Sequence, residues 1–264
     1  MEIGLLYRVN EGFIQLLVFA LLIAAGDAGY RLGRRAAAST AETTKKQISV
    51  IEGSLVGVLG LLLAFTMSMA VSRYEARKQL VLEEANAIGT SFLRTQLLPE
   101  PEGTEIARLL RQYVDLRIQY VSAGEDLGSL ERARRKSAEL QCEFWARAVA
   151  YGRNEPNPVR AGLLLQSLNQ VIDLDAARWM AFFDHVPEAV IYLDALVALV
   201  AAMLVGYAFG IECVRHSLSM YMLGFAITVV LGVIIDLDRP RQGIIQVSQQ
   251  PMLDLQRQLR MPAR

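Results

Sequence analysis

Four stretches of the chain, residues 12–30, 50–72, 189–211 and 217–235, are almost continuously apolar, and mixed polarity returns between the second and the third. Crossing about 30 Å of hydrocarbon takes roughly 20 mostly apolar residues in a helix, and all four stretches approach or reach that length. The second, from Val50, carries apolar residues on every face through Ala70 and Val71, which no water-exposed helix does. The first begins after Glu2, Arg8 and Glu11, a poor basic start for a leader. It therefore reads as an uncleaved span even though Ala24-Ala25-Gly26 resembles a cleavage site.

Beyond Arg73 the apolar run stops while helix-favouring residues continue, and Pro99 is the first firm breaker. A helix over 50–98 would be about 70 Å long and project from the membrane as a stalk. Val81, Ala85, Ile88 and Phe92 recur on one of its faces, with Glu83, Glu84 and Arg94 placed elsewhere. Three more helices are predicted, over 103–122, 127–151 and 157–184, from Ile106, Leu109, Leu110, Tyr113 and Leu116 and from Leu130, Leu140, Phe144 and Trp145. Gly124, Gly128, Gly152 and Asn154-Glu155-Pro156-Asn157-Pro158 punctuate them. The expected fold is all-α: a transmembrane pair over 1–72, a helical hydrophilic domain over 73–188 continuous with the second span, a second pair over 189–235, and a C-terminal tail over 236–264.

Composition agrees with a membrane protein: 53% of residues are hydrophobic and the mean hydropathy is +0.29. The 27 basic and 27 acidic residues balance, so no global field recruits nucleic acid. Cys142 and Cys213 lie far apart without ligand-spaced neighbours, so neither a disulfide framework nor a metal site is implied. With His185 and His216 the only histidines, no phosphate-binding glycine loop and no nucleophile elbow, the chain does not read as an enzyme, and no cofactor can be named.

Small residues four apart, Gly29 and Gly33, Gly53 and Gly57, Gly206 and Gly210, suit close helix approach, either inside one subunit or between subunits. Ionisable residues in spans are costly unless paired or wet. Glu52 and Asp194 lie near span ends, as interfacial anchors or as cation or proton sites on an aqueous path. Asp236, Asp238 and Arg239, with Pro240 and Arg241, form a charged exit from the fourth span. Arg31, Arg34, Arg35, Lys45 and Lys46 favour a cytoplasmic first connection, but Arg73, Arg77 and Lys78 favour the opposite side.

The run Arg73-Tyr74-Glu75-Ala76-Arg77 within 73–94, the segment 236–251, and Arg178 with His185-Val186-Pro187 resemble a bacterial membrane family called bestrophin-like. Its remoter relatives, the bestrophins, are pentameric anion channels. The resemblance implies that Phe65, with Leu61 and Gly57 one and two turns earlier, lines a hydrophobic pore neck, and that Arg73, Glu75 and Arg77 are charges at the pore exit or stalk. It also implies a multi-pass protein of the bacterial inner membrane with central domain and termini in the cytoplasm, against the basic first connection. The chain departs from bestrophins in having Leu61 where an aromatic is common and Gly57 for a branched residue, and in lacking an acidic calcium clasp. The expected function is a homo-oligomeric, by analogy pentameric, ion channel acting on inorganic ions in a lipid bilayer. The alternative is a non-conducting scaffold or sensor whose helical domain binds a protein partner.

Overall fold

Hydrocarbon offers no partner to a backbone amide, so the apolar stretches satisfy their own peptide groups as helices. The computed structural model describes residues 9–122, 127–213, 217–239 and 243–261; His216, Pro240 and Arg241 lie outside them. Helix α1, Glu11–Ala36, starts at Asn10, whose side chain accepts from the Phe13 N–H, and ends with Arg34 and Arg35 in its last turn. A short 3-10 turn, Ala37–Ser39, leads to α2, Glu42–Thr95. Then come α3, Glu102–Ser122, α4, Leu127–Asn154, and α5, Pro158–Phe183, which Asn157 caps with Pro158 in the first turn. Helices α6, Glu188–Ile211, α7, Ser217–Asp238, and α8, Gln250–Arg260, complete the order.

All four expected spans are long apolar helices, those of α1, α2, α6 and α7. The three central helices match the expected ranges closely. The basic connection after the first span is mostly helical, and α8 falls in the tail where no element was expected.

The chain divides into two compact units, and α2 contributes to both. Among the described residues, the first comprises residues 9–73, 185–213, 217–239 and 243–245. Its centre is the crossing of α1 and α6. A Cβ at Gly29 or Gly33 would overlap the carbonyl oxygens of Met203 or Tyr207, and one at Gly206 or Gly210 those of Gly26 or Tyr30. Backbone therefore touches backbone, the close packing that small residues permit between apolar helices. Gly53 and Gly57 behave differently: no atom lies within 4 Å of a Cβ built on either. The three pairs, alike in spacing, thus divide between internal packing and an open face. Leu59, Leu63 and Ala70 of α2 join Ile191, Ala198, Ile227, Leu231 and Ile234 in this unit's core.

Among the described residues, the second unit comprises residues 74–122, 127–184 and 246–261. Val81, Ala85 and Ile88 of α2 pack with Leu110 and Tyr113 of α3, Phe144 of α4, Leu164 and Leu168 of α5, and Met252 and Leu255 of α8. Helix α8 is held by polar contacts too: Arg111 donates to the Leu259 carbonyl (2.9 Å), and Gln256 and Arg260 donate to Asp115 (2.6 and 3.1 Å).

Glu84, expected off the apolar face, is instead 0% exposed at the centre of this core. It stands three residues after Val81 and four before Ile88, which places it on the buried face; partners on other helices make the burial tolerable. Arg117 Nε lies 2.9 Å from Glu84 Oε1, Arg178 pairs with Oε2, and the Tyr113 hydroxyl donates at 3.1 Å. Arg117 also meets Asp175 (2.7 Å), to which Gln141 donates (2.8 Å). Burial pushes the Glu84 carboxyl up, but Arg117 and Arg178 outweigh it and hold it below its ordinary value. Burial, reinforced by the Glu84 charge, pushes the Tyr113 phenol well up, so it stays a neutral donor.

Two outcomes follow for stability, read by thermal unfolding in detergent micelles. Gly206→Ala should destabilise by about 1–3 kcal/mol through overpacking against Gly26, while Gly57→Ala should be neutral or mildly stabilising. Glu84→Ala, which leaves two buried guanidinium groups short of a partner, should cost about 3–5 kcal/mol. Because the folded carboxyl sits below 4.5, its contribution is complete above that pH and is lost as pH falls through the folded value. Glu84→Gln should remove that part of the acid-limb dependence.

Candidate functional site

Opposite faces of α2 have opposite fates. Leu59, Leu63, Thr66 and Ala70 are buried in the first unit, whereas Leu61 is 56% and Phe65 60% exposed, with Gly57 open beside them. Only 11% of the apolar window of this helix is buried within the chain, against 39% in α7. The exposed stripe continues through Ser68, Ser72, Glu75, Ala76 and Gln79. Residues 57, 61, 65, 68 and 72 fall at three- and four-residue steps, so Gly57, Leu61 and Phe65 share one face.

The three residues expected to supply charge at the end of this span separate. Arg73 is half-buried. Glu75 is exposed and lies 3.5 Å from Lys78. Arg77 is 7% exposed and turned into the second unit, where it donates to the carbonyls of Ala181 (3.0 Å) and Asp184 (2.7 Å) at the end of α5. A guanidinium suits that place because helix C-termini carry unsatisfied carbonyls and partial negative charge. Its charge does not face the exposed stripe. Glu83, two turns beyond Glu75, is partly exposed and accepts from Gln79 (3.0 Å).

Glu52 is half-exposed on α2. Asp194, expected near enough to a span end for hydration, is 0% exposed; it faces Thr66 of α2, and neither of its oxygens makes a hydrogen bond among the described residues. Enclosure by α2 and α6 removes it from water although it lies only two turns into α6.

Asp236, Asp238 and Arg239, grouped by sequence proximity, are brought together, and each has a backbone partner of its own. The Asp236 carboxylate accepts from the Ile244 and Ile245 amides, both at 2.9 Å. Gly243 lies against it with φ +94°, a backbone conformation that favours glycine, and a Cβ there would overlap Asp236 Oδ1. Asp238 Oδ2 accepts from the buried Val186 amide (2.9 Å), and His185 Nδ1 lies 3.0 Å from the Asp238 carbonyl and 3.4 Å from Oδ2. Arg239 donates to the Val9 carbonyl (2.9 Å). The carboxylates are thus occupied by backbone amides, and no cluster of metal-ligating type occurs among the described residues. The role of His185-Val186-Pro187 was invisible in sequence because its partner stands about fifty positions away.

A family model described as a Bestrophin-like domain matches residues 18–252. The fold is similar to that of a bacterial bestrophin homolog from Klebsiella pneumoniae, at 15% identity over 94% of this chain and 96% of that chain, with a TM-score of 0.67. A point variant of the Klebsiella pneumoniae protein gives 14% identity over 90% and 97% of the two chains, with a TM-score of 0.64. At this identity the likeness is one of fold. No curated protein matches.

Removing the Asp238 carboxylate should strand the buried Val186 amide. Asp238→Ala is expected to cost about 1–3 kcal/mol in thermal unfolding, with Asp238→Asn, which retains an acceptor oxygen, losing less. Equal stability of wild type and Asp238→Ala would show that the fastener is dispensable.

Proposed function

Because the chain belongs to the Bestrophin-like family, we propose that this multi-pass membrane protein is a homo-oligomeric ion channel, pentameric by analogy, whose second span lines the pore. One observation carries the reading. Helix α2 presents Gly57, Leu61 and Phe65 on a face that the rest of the chain leaves uncovered, while burying the opposite face. Around a symmetry axis, a ring of Leu61 and Phe65 side chains makes a hydrophobic constriction that gates by dewetting. Gly57 and the serines Ser68 and Ser72 widen the lining on either side.

The disposition of charge beyond the neck favours cations. Arg77 serves α5 and Arg73 is half-buried, while the carboxylates Glu75 and Glu83 lie on the exposed stripe of the stalk, with Lys78 beside Glu75. Rings of carboxylates concentrate cations at a pore mouth. The central domain and both termini are assigned to the cytoplasm on the family resemblance.

The test is ion flux from liposomes reconstituted with the purified oligomer, with cation and anion gradients applied separately. Leu61→Ala and Phe65→Ala should raise flux severalfold, and Glu75→Gln with Glu83→Gln should lower the cation-to-anion ratio. Flux absent from every variant, or indifferent to Leu61 and Phe65 with the oligomer intact, would instead indicate a non-conducting scaffold.

A further inference from the structure

The first unit contains a half-enclosed cavity of about 500 Å³ where the C-terminal ends of α1 and α6 meet the N-terminal end of α7. That volume lies within the range of small-molecule sites, roughly 300–1,000 Å³. It is separate from the exposed face of α2, and none of its lining residues belongs to that helix.

The lining changes character along α1. Phe19, Ala20, Ile23 and Ala24 make an apolar wall, and one turn later Asp27 and Tyr30 make a polar rim. At 1.5 Å per residue, Phe19 and Tyr30 are about 16 Å apart along the helix axis. Immediately past the rim come Arg31, Arg34 and Arg35, all exposed, at the level where a span leaves hydrocarbon for headgroups. Tyr221 at the start of α7 also lines the cavity; an aromatic ring with a polar tip suits that same level. The order of polarity, from apolar within the span to charged at its end, is that of a lipid molecule entered tail first.

Both signs of charge meet where the rim ends, Asp27 lining the cavity and Arg31 standing one turn beyond it. Asp27 Oδ2 pairs with the Arg31 guanidinium at 2.6 Å, the two side chains being 31% and 72% exposed. An exposed pair of this kind contributes little by itself and is open to exchange with a ligand of complementary charge. A primary ammonium can donate hydrogen bonds to Asp27 while the adjacent phosphate accepts from Arg31. A quaternary ammonium has no N–H to donate, and a glycerol headgroup brings no positive charge for the carboxylate.

We propose that the cavity between α1, α6 and α7 binds a phospholipid with a primary-amine headgroup, its acyl chain along Phe19 and Ile23 and its phosphoethanolamine zwitterion across Asp27 and Arg31. The site does not depend on whether the protein conducts ions.

Native mass spectrometry of the full-length, delipidated oligomer tests it, with dioleoyl phosphatidylethanolamine, phosphatidylcholine and phosphatidylglycerol offered at equal concentration. The ethanolamine lipid should be retained about fivefold or more over the other two, the ratio that one charge-assisted contact of roughly 1 kcal/mol supplies. Asp27→Asn should remove the preference while leaving general lipid retention, and Ala24→Trp, which fills the apolar wall, should lower retention of all three. Soluble phosphoethanolamine should not compete, since it lacks the chain. Equal retention of the three lipids, an unchanged preference in Asp27→Asn, or competition by the free headgroup would overturn the proposal. So would dissociation of the oligomer by Ala24→Trp, which would identify the occupant as a second copy of the chain.

Discussion

A peptide group in hydrocarbon has no water to bond, and that constraint governs everything else in the molecule. It makes each span a helix, and it removes the hydrophobic effect as a force between spans, because lipid tails are as apolar as leucine. Adhesion between α1 and α6 then depends on how closely their backbones come. At Gly29 and Gly33 on one helix and Gly206 and Gly210 on the other, a carbonyl oxygen of the facing helix stands where a Cβ would otherwise be. The second unit is held instead by an apolar core that includes Ile88, Leu110, Phe144 and Leu168.

Burial of charge is handled by two different means. In the second unit, Glu84 is surrounded by side chains of opposite sign from two helices, Arg117 and Arg178, and is held ionised. In the first, Asp236 and Asp238 accept hydrogen bonds from backbone amides near the end of α7. The first arrangement is sensitive to loss of a single partner, since an uncompensated charge then stays in the core. The second ties chain segments together through their backbones.

Helix α2 is unusual among the spans in how little of it the chain covers. An apolar face with Leu61 and Phe65 outward must meet lipid or further copies of the chain. Gly57, Ser68 and Ser72 on the same stripe add little apolar area for lipid but suit a narrow, partly wet lining.

Long apolar runs determined the spans, because about 20 residues without charge leave few alternatives to a transmembrane helix. Periodicity determined the central helices, since Ile106, Leu110 and Tyr113 or Leu140 and Phe144 recur on one face wherever a bundle forms. Asn157-Pro158 and Pro99 set boundaries through local backbone chemistry. A short motif and helical spacing singled out Gly57, Leu61 and Phe65, and the structure adds that they share a face the chain leaves uncovered. What only the tertiary structure decided is which of several equivalent faces was covered. Glycine pairs of identical spacing became a helix crossing in one place and an open face in another. Arg77, Glu84 and Asp194 sit at positions whose partners come from α5, α3 and α2, tens to more than a hundred residues away. Local sequence encodes helix and polarity through near-neighbour energetics, whereas the fate of a charge depends on which distant groups the fold brings within a few ångströms.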